Sequence, residues 1–173
     1  MTSLPTYTLI QSATLTTSAA TITLGSGGTI PQTYADLKLV ASVRETSAQI
    51  DPTAYISFNG SSTNFSYKWL YGAGSGGYGS AGGSSNQLWD DNGSSATSNT
   101  FGFAVFYIPN YTNSNYKSFS FETIQENNGN YGSQILGAGL WSTSSAITSI
   151  TLSPASGNFV TYSNFYLYGI KNS

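Results

Sequence analysis

The chain contains neither cysteine nor histidine. Without a thiol there is no disulfide, no zinc–thiolate centre and no thiolate nucleophile, and nothing argues for passage through an oxidising compartment. Without an imidazole the commonest general base and the commonest transition-metal ligand are missing, along with the one side chain that titrates unperturbed near neutrality. Charge is nearly as scarce, with five Lys and Arg against seven Asp and Glu in 173 residues. The five cations, Lys38, Arg44, Lys68, Lys117 and Lys171, stand singly. They build no track for phosphates, which argues against a nucleic-acid partner. No stretch approaches the ~20 apolar residues of a membrane span. Met1 to Ile10 shows no basic segment followed by an apolar core, so a leaderless chain with no membrane partner is expected.

What is present is a polar, aromatic-rich pattern. Nearly half the residues are Ser, Thr, Asn or Gly, interleaved with three Trp, 13 Tyr and nine Phe. Hydrophobic residues still make up 39%, enough for a packed core rather than disorder. The length suits one domain over 1–173, which buries roughly 70% of the surface its unfolded chain exposes. No window carries an uninterrupted helical apolar stripe, whereas alternation of period two recurs throughout. It predicts about ten short strands, at Tyr7–Thr16, Ala20–Leu24, Leu37–Glu45, Ala54–Asn59, Phe65–Tyr71, Phe101–Ile108, Ser118–Gln125, Gln134–Ser142, Ala146–Leu152 and Asn164–Lys171. Leu37, Leu39, Ala41 and Val43 alternate with Lys38, Ser42 and Arg44, the pattern of a strand wet on one face. Phe101–Ile108 is apolar on both faces and is expected to be central and covered on each side. Asn59-Gly60, Asn92-Gly93 and Asn128-Gly129 tolerate positive φ, and Pro31, Pro52, Pro109 and Pro154 cannot donate to a ladder, so these positions punctuate the sheet. Strands at this spacing without helices predict an all-β fold, an antiparallel β-sandwich of jelly-roll type with negligible helix.

The segment 71–85, YGAGSGGYGSAGGSS, reads as a flexible Gly-rich loop insertion. Its functional reading is a loop ordered against a neighbouring subunit, with Tyr71 and Tyr78 as anchors. Asp90, Asp91 and Asn92 before Gly93 gather oxygen ligands. Their spacing is not that of a twelve-residue calcium loop, and no Glu follows where one is needed, so a solvated turn is expected and no metal site. On a strand Glu122 and Glu126 lie about 13 Å apart, beyond either glycosidase geometry. A carboxylate-pair enzyme would require Asp51, Asp90 or Asp91 to be joined by the fold. The many serines have no visible base. No catalytic constellation or cofactor is implied. Asn-x-Ser/Thr sequons at Asn59, Asn64, Asn92 and Asn110 matter only in a eukaryotic secretory product. Trp69, Trp89 and Trp141 with the tyrosines could line a sugar-binding surface, but aromatic residues also fill cores and interfaces. Tyr111, Tyr116 and Tyr131, in turn-rich stretches, join Tyr71, Tyr78 and Trp89 as candidate contact residues.

The stretch YTLIQSATLTTSAATITLGSGGTIPQTYADLKLVASVR, Tyr7 to Arg44, and the ending FYLYGIKNS, Phe165 to Ser173, resemble small virion structural proteins of tailed bacteriophages, especially marine and cyanobacterial ones. The resemblance covers about a quarter of the chain and transfers no site residues. It implies a β-sandwich on the virion surface without enzymatic activity. The expected role is a capsid decoration or cement protein, partnered by the major capsid protein or other virion proteins. The expected assembly is a homo-oligomer, a trimer. The alternative is a receptor-binding tail-fibre or adhesin head that recognises host glycans.

Overall fold

A computed structural model describes residues 6–25, 27–74, 78–129 and 131–171. Every regular element among them is a strand: β1 (Tyr7–Thr14), β2 (Ile22–Leu24), β3 (Asp36–Val43), β4 (Thr53–Phe58), β5 (Phe65–Ala73), β6 (Tyr78–Gly83), β7 (Gln87–Asp90), β8 (Gly102–Pro109), β9 (Lys117–Gln125), β10 (Ser133–Trp141), β11 (Ile150–Pro154) and β12 (Asn164–Ile170). They form two antiparallel sheets, one of eight strands in the order β1-β12-β3-β8-β9-β10-β5-β6 and one of four in the order β2-β11-β4-β7. The antiparallel sandwich agrees with the alternation in the sequence. Jelly-roll wiring is a separate matter: the strands divide eight and four, and β8, β9 and β10 run as a plain meander.

Alternation fixes which side chains enter the space between the sheets. From the large sheet Leu37, Leu39, Ala41, Val43, Phe106, Phe165 and Leu167 are buried, and from the small one Ile56, Phe58, Leu88, Ile150 and Leu152. Aromatic rings tie the layers: Trp89 packs on Phe106 at 5.4 Å, and Phe58 meets Phe119 and Trp141 edge-on at 5.6 and 5.5 Å. Such pairs add about 0.5–1.5 kcal/mol each beyond burial. The Phe58–Ser61 turn closes with the Ser61 N–H donating to the Phe58 carbonyl at 2.9 Å. Asn59 and Gly60 sit there at φ 54° and 72°, the conformation that favours Asn-Gly in a tight hairpin turn.

Two strands, β6 and β7, exceed the ten expected, and β6 corrects the reading of 71–85. Of the segment 71–85, read as a loop insertion, residues 71–73 and 78–83 are strand, and residues 75–77 lie outside the described residues. Tyr71–Ala73 end β5, and β6 pairs with β5 without a register break from Gly72↔Tyr78 to Tyr67↔Gly83. Glycine weakens a strand by itself, so the stabilisation comes from the neighbour. A Cβ at Gly79 would lie 2.9 Å from the Tyr71 ring, and one at Gly83 would lie 3.0 Å from the Tyr67 hydroxyl. The tyrosine side chains of β5 reach over β6, an arrangement that shields an edge glycine strand.

Candidate functional site

The small sheet covers one face of the large sheet and leaves the other open. This corrects the expectation for Phe101–Ile108. The strand β8 is central, between β3 and β9, but Phe103 and Tyr107 on its outer face are exposed. Register places one outer-face row across six strands: Tyr166, Val40, Val105, Glu122, Leu136 and Leu70. Leu70 and Leu136 are opposite one another and 64% and 53% exposed. Single exposed leucines need no explanation, but a contiguous apolar sheet face marks an interaction surface. Around β10 the face is indented, because Ala138, the outward residue between Leu136 and Leu140, carries almost no side chain, while Gly137 and Gly139 face inward against the Phe121 and Phe119 rings. An open concavity of about 670 Å³ lies beside Leu70, Ile124, Gln134 and Leu136.

At the β1 side the same face is aromatic. Tyr7 meets Tyr168 edge-on at 6.5 Å, Tyr168 stacks beside Tyr166, and the Lys38 ammonium stands 5.5 Å over the Tyr7 ring. The Tyr107 hydroxyl donates to Asp36 Oδ2 at 2.5 Å, while Asp36 Oδ1 accepts the Asn110 N–H at 3.0 Å. The hydrogen bond to Asp36, helped by partial burial, pushes the Tyr107 pKa up to about 12.

A second polar feature is sealed between the layers. Glu45 and Asp91 are buried and adjacent. Trp89 Nε1 donates to Asp91 Oδ2 at 3.2 Å, but neither Glu45 oxygen nor Asp91 Oδ1 meets a donor among the described residues. The neighbouring Arg44 makes no ion pair with them. Its guanidinium donates to the carbonyls of Ser94, Ala96, Thr97 and Thr100 and clamps that loop. Burial, followed by the charge of Asp91 and a hydrogen bond to it, raises the Glu45 pKa to about 10. Burial likewise raises Asp91 to about 7, against the hydrogen bonds from Trp89 and Glu45 that favour its ionised form. Both shifts favour a protonated Glu45, which would donate to Asp91. Both side chains are closed to solvent.

The expected solvated turn at Asp90–Asn92 is therefore corrected: Asp91 and Asn92 are buried because the Arg44–Gln49 stretch and the end of β9 close over them. The fold also brings Asp51 near Asp90, whose pKa rises to about 7 through burial first and the Asp51 charge second. Tyr131 is half-buried beside Asp51, and burial, then that contact, moves its pKa to about 12. Among the described residues no three acidic side chains converge as a metal site would need.

The six contact candidates from the sequence do not form one patch. Tyr71 is exposed on β5, and Tyr116 is exposed in the turn before β9. Tyr78 opens β6, and its side chain lies outside the described part of the structure. Two assignments are corrected. Trp89 is 1% exposed and packs on Phe106 at 5.4 Å. Tyr111 is fully buried, its hydroxyl donating to the Pro31 carbonyl. The residues that sequence reasoning missed are Tyr7, Leu9, Leu70, Phe103, Tyr107 and Leu136 on the open face. Their signal was apolar character at both parities of a strand without a partner layer for the second. Compared with family models, curated proteins and solved structures, the chain has no significant match in any of the three.

Proposed function

We propose that this chain is a non-enzymatic structural protein of a phage particle, a capsid decoration or cement protein that seats on the outside of the head and clamps neighbouring subunits. The observation that carries the reading is the uncovered outer face of the eight-stranded sheet, with Leu70 and Leu136 exposed side by side on β5 and β10. Eight strands of about eight residues make a face of roughly 38 Å by 25 Å, about the area one partner contributes to a standard interface. Few charges stand on it, so seating it against another protein desolvates little beyond Lys38, Lys68 and Glu122. The absence of His and Cys and the burial of Glu45 and Asp91 favour assembly over catalysis.

The resemblance to virion proteins suggests the particle and its surface as location, and the major capsid protein as partner follows from the decoration reading. The test is copy number in purified virions by quantitative mass spectrometry, together with rebinding of Leu70→Glu/Leu136→Glu protein to depleted particles. Hundreds of copies per virion, lost with the double variant, support the reading. A few dozen copies at most would overturn head decoration and favour the tail. The second reading, a glycan-recognising adhesin head, is favoured by the cluster of exposed Tyr7 with half-buried Tyr166 and Tyr168 beside Lys38, since ring faces stack on sugars. Chemical-shift changes confined to those tyrosines on adding host polysaccharide would establish it.

A further inference from the structure

Sheet edges expose unpaired backbone groups, and folded proteins normally guard them. Three of the four edges here are guarded. A register break between Leu9 and Gln11 interrupts β1. The strand β2 has three residues, and β7 has four and pairs with β4 across a bulge. The fourth edge, β6, runs six residues in unbroken register, with no charge, no proline and no bulge. Its glycines expose backbone, and they also let side chains of β5 reach across to the rim. Tyr71 lies over Gly79 and Tyr67 over Gly83 on the inner face, while the Lys68 chain crosses Gly82 on the outer face, where a Cβ would sit 2.6 Å from its Nζ.

We propose that β6 is a docking edge for a second copy of this chain, pairing antiparallel with its own β6 across a two-fold axis at Ala81. This goes beyond the open-face reading and does not depend on it. The occupant is a second copy because the rim is complementary to itself. In this register Gly79 opposes Gly83 of the second copy, so the Tyr71 ring meets the Tyr67 ring of that copy, and the contact repeats on the other side of the axis. Ser80 opposes Gly82 of the second copy, which brings the hydroxyl beside the Lys68 ammonium lying over that glycine. Both contacts are made twice, as an isologous interface requires. No like charges oppose within β6, since Tyr78–Gly83 carries none. Side-chain pairing of this kind between adjacent strands is what stabilises a sheet and sets its register. The product is a continuous sheet of two eight-stranded halves with their open faces on one side. Its symmetry is two-fold, unlike the trimer expected from the sequence.

A chain without cysteine makes a clean crosslinking test. Single variants Ser80→Cys, Ala81→Cys and Gly82→Cys are oxidised mildly beside Ser12→Cys on the β1 edge. The expected result is fastest disulfide dimer formation at Ala81→Cys, slower at its neighbours, and a heterodimer when Ser80→Cys and Gly82→Cys are mixed. Ser80→Lys places a new ammonium beside Lys68 of the second copy at both contacts. It should weaken the wild-type dimer about tenfold in sedimentation velocity, the size of two like-charge cross-strand contacts. As a measurement independent of variants, amide exchange at Gly79–Gly83 should slow as wild-type concentration rises. A monomer at every concentration, or crosslinking at β6 no faster than at Ser12→Cys, overturns the proposal. An oligomer dissolved by Leu70→Glu/Leu136→Glu but untouched by Ser80→Lys also overturns it, while leaving the open-face reading standing.

Discussion

Replacing Glu45 by Gln should make the protein more stable at alkaline pH, and the gain can be worked from the buried pair. Both Glu45 and Asp91 carry raised pKa values in the fold, through burial first, so the folded state binds more protons than the unfolded one. The stability tied to that protonation is complete below the unfolded values near 4. It is lost as pH climbs toward the folded values of about 7 for Asp91 and about 10 for Glu45. One proton retained by Glu45 from pH 5 to 8 lowers stability by about 1.4 kcal/mol per pH unit, or about 4 kcal/mol over that span. Gln keeps the shape and donates an amide N–H to Asp91, but requires no proton. At about pH 5 the two proteins should lie within about 1 kcal/mol of one another, and at about pH 8 the variant should lead by roughly 4 kcal/mol. Asp90 is also raised, to about 7, but it is present in both proteins and cancels in the difference. Urea unfolding followed by tryptophan fluorescence across this range reads the effect directly. Parallel stability profiles for wild type and Glu45→Gln would refute the shared-proton account.

Three further outcomes test the packing. Gly137→Ala puts a Cβ 2.0 Å from the Phe121 ring, which stacks on Phe106. Overpacking there should cost about 2 kcal/mol in urea unfolding, whereas a cost below about 0.5 kcal/mol would mean the ring moves freely aside. Asp36→Asn removes the charge that Tyr107 bonds to, so ultraviolet titration should show one tyrosine falling from about 12 toward the ordinary phenol value. Arg44→Lys replaces a planar fork that serves four loop carbonyls with a single ammonium. A loss of about 2–3 kcal/mol is expected, with faster amide exchange over Ser94–Thr100.

The division between what was readable and what was not follows the range of the interactions involved. Local chemistry determined the strands: Leu37, Leu39, Ala41 and Val43 alternate because the pleat has period two, and Asn59-Gly60 turns because those residues tolerate positive φ. The missing His and Cys bound the chemistry before any folding. Neighbours distant in sequence decided the rest. Glycine has no preference that would predict β6, which is a strand because the rings of Tyr67 and Tyr71 lie upon it. Asp91 and Asn92 read as a solvated turn until the Arg44–Gln49 stretch and the end of β9 close over them, and only that closure raises the Asp91 pKa. Trp89 and Tyr111 are buried by facing layers that no local pattern announces. The open face is the clearest case. Phe103 and Tyr107 alternate with Ala104 and Phe106 in either environment, and whether the second parity meets protein or water depends on the small sheet having four strands and lying on one side. Alternation specifies two faces, and only tertiary packing decides which of them is covered.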